Sequence, residues 1–157
     1  MAALNQRGAK RRRRSDSGAE LIELAIVLPI LLVVVAGIVD FGFLFQRYEA
    51  VTNAAREGAR VAILPNFNDT DVQERVKQYL DSTGLDRTAS VVPLPTRSTL
   101  TLTTGATVDV VTVHVFYPAR FSYLGPFVQM VGGSYASSIM LKATSVMRTE
   151  NASTGGS

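Results

Sequence analysis

The chain has 157 residues, a formal net charge of +3 and no cysteine. That length holds one small domain besides an anchor. Without cysteine there is no disulfide, no thiolate nucleophile and no cysteine metal site, and the sole histidine, His114, cannot build a histidine cluster.

The charge is unevenly placed. Residues 1–18 carry six Lys/Arg and one acid, a net +5, while the rest carries ten basic and twelve acidic side chains, a net −2. The pI near 9.5 therefore describes the leader and not the body. The run Lys10, Arg11, Arg12, Arg13 and Arg14 stands just before an uncharged stretch, Leu24 to Val39. A basic run alone can bind nucleic acid, with steep salt dependence. Beside a membrane-length apolar segment it sets topology instead and holds the N-terminus in the cytoplasm. Membrane lipid is the expected partner, and nucleic acid is not.

The sixteen residues from Leu24 to Val39 make about 24 Å of helix, slightly short of a hydrocarbon core of about 30 Å. Phe41 to Phe45 lengthen the span and put Asp40 near the outer interface. Pro29 removes one helical hydrogen bond and is expected to bend the helix. The chain thus divides into a basic leader (1–18), a transmembrane half-helix (19–45), an amphipathic half-helix (46–64), an extracytoplasmic domain (65–150) and a flexible polar tail (151–157).

The junction admits three readings. The chain is cut between Gly18 and Ala19 with the apolar helix kept, or cut after the apolar run near Ala36 as an ordinary signal peptide, or left uncut as an anchor. Glu20 and Glu23 at the head of the run, and the helical pattern continuing past Phe45, speak against the second. A carboxylate inside an apolar segment is costly, about 2.5–3.5 kcal/mol at a membrane centre and less near its edge, so Glu23 calls for a reason. As a plain boundary charge it would mark the cytoplasmic edge.

Glycine followed by a hydrophobic helix with glutamate as its fifth residue resembles the processing signature of type IV pilin-like proteins. The resemblance narrows with three segments in order: Gly18 through Leu32, Gly37-Ile-Val-Asp-Phe-Gly42, and Asn53-Ala-Ala-Arg-Glu-Gly-Ala-Arg60. Together they are similar to the TadE family of pseudopilins of the tight-adherence (Flp) pilus machinery, over about residues 15–64. Leu24 departs from the family, where an aromatic residue commonly follows the glutamate. The resemblance implies a minor pilin-like subunit cut by a prepilin peptidase. Its partners would be other pseudopilins, pilin subunits and the inner-membrane assembly platform. It also implies that Glu23 of one subunit neutralises the freed α-amino group of Ala19 on a neighbour, a charge pair far stronger in low dielectric than in water. A membrane-anchored periplasmic binding module unrelated to pili is the alternative from another class, and the mature N-terminus discriminates between them.

In the outer half of the helix Phe41, Phe45, Tyr48, Thr52, Ala55, Ala59 and Ala62 recur at three- and four-residue steps and predict the packing stripe. Ala55, Gly58 and Ala59 are small enough for close backbone approach, either to the chain's own sheet or to another pseudopilin. Pro65 ends the helix near Leu64.

Asp69 or Thr70 is expected to cap a short second helix with Val72, Val76, Tyr79 and Leu80 on its buried face, ending near Gly84. Asp69, Asp71 and Glu74 lack the spacing of a calcium loop. Strands are expected at residues 89–92, 98–103, 108–116 and 135–148, with His114 half-exposed. Residues 121–131 are apolar and broken by Gly125-Pro126. They read either as a connection whose short helix covers the sheet or as a patch lying on a membrane or partner. No nucleophile motif and no phosphate loop is present, so neither catalysis nor a cofactor is expected. The fold class is α+β: a long N-terminal helix, a short helix and an antiparallel sheet of three or four strands.

Overall fold

Arg12–Ala62 form one α-helix, α1, of 51 residues, about 76 Å long at 1.5 Å per residue. It runs through Pro29 without interruption. From Gly18 onward it is long and apolar enough to cross a membrane. The computed structural model describes residues 12–130, 132–133 and 138–149. Lys10 and Arg11 of the basic run, the expected start of the last strand at Tyr135, and the tail 151–157 lie outside the described residues.

After α1 come α2 (Asp69–Ser82), a 3₁₀ turn (Arg87–Ala89), β1 (Thr96–Thr101), β2 (Thr107–Arg120), α3 (Leu124–Met130) and β3 (Ser138–Arg148). The strands form one antiparallel sheet in the order β1-β2-β3. Gly105, at φ 82°, supplies the left-handed residue that the β1–β2 turn requires. The expected strand at 89–92 is a correction. Only Val91 pairs, in a single bridge with Phe116. Pro93 and Pro95, lacking N–H groups, cannot extend that ladder.

The cap of α2 is also corrected by one residue. Asn68, not Asp69 or Thr70, is the N-cap. Its Oδ1 accepts from the Asp71 amide at 2.9 Å, and Asp71 Oδ2 accepts from the Asn68 amide at 2.9 Å. This reciprocal box satisfies two amide donors that the first turn would otherwise leave orphaned.

One face of the sheet meets α1 and α2. Val111, Val113 and Val115 of β2 alternate inward and are fully buried, as are Val51, Ala54, Ala55 and Ala59 of α1 and Val72, Val76 and Leu80 of α2. Three ion pairs tie the rim: Arg75 to Glu57, Arg87 to Glu74 and Arg97 to Asp69, each at 2.7 Å.

The pH response follows from two carboxylates: Glu74 of this rim and Asp86, which caps the 3₁₀ turn. Hydrogen bonds from the Thr88 hydroxyl and amide hold Asp86 below its ordinary pKa, and the Arg87 guanidinium does the same for Glu74. A depressed folded-state pKa contributes stability above the ordinary carboxylate range and loses it as pH falls through the folded-state value. The melting temperature is therefore expected to drop below about pH 4. Replacing Asp86 by Asn and Glu74 by Gln should flatten that drop. An equally steep acid limb in the double variant would assign it to other groups.

Candidate functional site

The buried edge of α1 is set by phase. Ala36, Asp40, Val51, Ala54, Ala55, Gly58, Ala59, Val61 and Ala62 face inward, with Leu44 and Arg47 half-buried between them. Phe41, Phe45 and Tyr48 of the expected stripe point outward and are exposed. The expected period holds and its phase is wrong by about one residue over 41–48. Directly after an apolar run of membrane length, a large aromatic side chain need not turn inward to leave water.

The small residues on the inward face are filled from within the chain. Ala55 and Ala59 are fully buried. A Cβ on Gly58 would collide with Val76 Cγ2 of α2 and come within 3.3 Å of Val113 Cγ1 of β2. Gly58 thus sits where α1, α2 and the sheet come closest. Any subunit contact of the outer half must use the opposite faces of α1.

Asp40 has partners that sequence reasoning did not foresee. It is 3% exposed. Its Oδ1 accepts from the Ser122 amide at 2.9 Å and the Tyr123 amide at 3.2 Å. Its Oδ2 accepts from the Tyr123 amide at 3.0 Å and the Leu124 amide at 2.6 Å. One side chain of α1 therefore caps the start of α3. Arg47 Nη1 adds a bond to the Arg120 carbonyl at 2.9 Å. Around this clamp Phe41 meets Phe121 edge to face at 6.0 Å and Phe43 stacks on Tyr123 at 6.4 Å. α3 thus lies against α1, not over the sheet as the connection reading had it. A signal was present: a lone acid in an apolar helix needs a partner, and Gly37 one turn earlier leaves room for one.

The N-terminal end of α1 is bare. Gly18, Ala19, Glu20 and Glu23 are helical and exposed, and apart from the adjoining turns of α1 nothing described lies within 4 Å of a Cβ built on Gly18. From Leu21 to Val35 every residue is exposed, with Leu21 at 67% and Ile30 at 63%. Arg12, Arg13 and Arg14 fall in the first turn of α1.

The same helix carries the likeness to known proteins. Residues 18–60 match the family model of TadE-like proteins. This segment is TadE-like. No curated protein and no solved structure matches the chain. The TadE-like segment begins at Gly18, covers the bare apolar stretch, includes Asp40 and Gly58, and stops just before α1 ends at Ala62. Outside it, His114 is half-buried on β2, its Nδ1 2.9 Å from Thr144 Oγ1 of β3. Between α1 and α2 an open groove of about 520 Å³ is lined by Glu57, Arg60, Leu64, Phe67 and Glu74, among others. The guanidinium of Arg75 also lines it and already pairs with Glu57.

Proposed function

We propose that the chain is a pseudopilin-type structural subunit of a tight-adherence pilus system. Residues 19–45 anchor it in the cytoplasmic membrane, with the leader in the cytoplasm and the α+β domain outside. The observation that carries this reading is the bare apolar surface of α1 from Leu21 to Val35, preceded by basic residues and lying in the TadE-like segment. Apolar surface of that extent is covered in the working protein, by lipid before assembly and by neighbouring helices after it.

A prepilin peptidase cuts between Gly18 and Ala19. Helix electrostatics support that position. The uncut α1 opens on arginines, which oppose the positive end of the helix dipole, with no acid in its first turn. The cut helix opens on Ala19, with Glu20 in its new first turn, where an acid is favoured by about 0.3–1 kcal/mol. Gly18 also has about the weakest helical preference outside proline, near 1 kcal/mol below alanine, so the helix opens there at least cost. The freed Ala19 ammonium then meets Glu23 of a neighbouring subunit. Other pseudopilins and the inner-membrane platform are the partners.

Mass spectrometry of protein from cells holding the peptidase is expected to show loss of residues 1–18. A bulky residue in place of Gly18 should block the cut, whereas Gly18→Ala should be partly tolerated. Intact residues 1–18 in the mature protein, or a new N-terminus near Ala36, would overturn this reading.

A further inference from the structure

We propose that residues 121–129 are a membrane foot: α3 lies in the outer headgroup–acyl boundary of the bilayer, held there by Asp40. This rests on the membrane span proposed above. The first ground is depth. A hydrocarbon core of about 30 Å takes about 20 helical residues. Counted from Leu21 it ends at Asp40, and counted from Leu24 it ends at Phe43. The Leu124 side chain lies 4.0 Å from where a Cβ on Gly37 would sit, and Phe121 and Tyr123 meet Phe41 and Phe43. The start of α3 therefore sits level with the outer edge of the core, reaching at most about 9 Å below it at 1.5 Å per residue. Interfacial helices bury themselves about 5–10 Å into that boundary.

The second ground is polar satisfaction. At this depth water is scarce, and irregular backbone persists only where its polar groups are satisfied within the protein. The amides of Ser122, Tyr123 and Leu124 are all held by Asp40, and the Asp40 carboxylate is hidden from its surroundings by the same segment. Each side removes the other's cost. In water those amides could turn to solvent instead; at this depth only Asp40 can take them. The third ground is composition. Residues 121–129 carry no charge. Phe41, Phe43 and Tyr123 remain about half exposed, an apolar aromatic surface whose one amphipathic ring, Tyr123, is of the kind enriched at membrane–water boundaries.

The chain has no tryptophan, so single-tryptophan variants report one position each. The full-length protein, one copy per nanodisc of phosphatidylethanolamine and phosphatidylglycerol, would carry Tyr123→Trp, Ile30→Trp or Phe67→Trp. Position 67 lies in the turn before α2 and is exposed, so it serves as the wet reference. At position 123 we expect iodide quenching several-fold weaker than at 67, and strong quenching by lipids brominated near the headgroup. Iodide quenching at 123 equal to that at 67 overturns the foot. So does a probe at 123 shielded from iodide yet untouched by brominated lipid, because protein would then be its cover. A wet probe at position 30 overturns the span and the foot together. A dry probe at 30 with a wet one at 123 overturns the foot alone. Adding Asp40→Asn, which leaves one acceptor oxygen and a donor NH2 where two oxygens held three amides, should raise iodide quenching at 123 several-fold while the far-UV dichroism stays unchanged. A probe still quenched by lipid in that variant overturns the holding role of Asp40.

Discussion

A Gly58→Ala protein is expected to unfold more easily than the parent, against the usual rule for a glycine inside a helix. Alanine there normally gains about 0.5–1 kcal/mol through lower backbone entropy in the unfolded chain. At position 58 the new Cβ collides with Val76 Cγ2 and crowds Val113 Cγ1. Both valines are fully buried, and a β-branched side chain has no second comfortable rotamer in a helix. Overpacking of this kind costs about 1–3 kcal/mol. The collision outweighs the propensity gain, so a net loss of about 1–2 kcal/mol is expected. Thermal unfolding of the full-length protein in detergent measures it. Gly42→Ala is the control, because nothing lies within 4 Å of its added carbon. If both variants melt alike, Val76 moves aside freely and the close approach at Gly58 is not a constraint.

Glu23→Ala is expected to abolish pilus assembly while leaving membrane insertion and cutting after Gly18 intact. Removing a carboxylate from an apolar segment does not hinder insertion and can only ease it. On the proposed reading, what disappears is the neutralising partner for the Ala19 ammonium of the next subunit, in a medium where an unpaired charge is far more costly than in water. Glu23→Gln should fail likewise, and Glu23→Asp should recover part of the output. Surface pili would be counted by electron microscopy beside a membrane-fraction assay for the cut protein. Normal pilus numbers with alanine at position 23 would reduce Glu23 to a charge marking the cytoplasmic edge.

The parts of the fold legible in the sequence are those fixed by local chemistry. The run from Leu24 to Val39, the valine and leucine stripe of α2 and the β-branched stretch of β2 each state their own structure through period and composition. The cap of α2 was missed by one residue, since Asn68, Asp69 and Thr70 are all competent caps. Only the reciprocal bonds between Asn68 and Asp71 choose among them. The phase of α1 over 41–48 was missed for a deeper reason. Period tells that a helix has two faces, but which face turns inward depends on the solvent outside. Phe41 and Phe45 look like core to an argument that assumes water. Asp40 was hardest, because its partners lie more than 80 residues away in the chain, at Ser122, Tyr123 and Leu124. No local pattern holds that information, although the isolated acid asked the question.

The continuity of α1 has a mechanical consequence. Val51 to Ala62 are embedded in the core of the outer domain, and the same unbroken helix extends back through the apolar stretch to Gly18. No joint separates the two halves, and the Asp40 and Arg47 bonds brace the zone where one would otherwise lie. A stroke of one helical turn applied to the buried half, about 5.4 Å along the axis, therefore lifts the whole sheet by the same distance. A torque on that half turns the sheet with it, so work done on the apolar half of the rod reaches the α+β domain without slack.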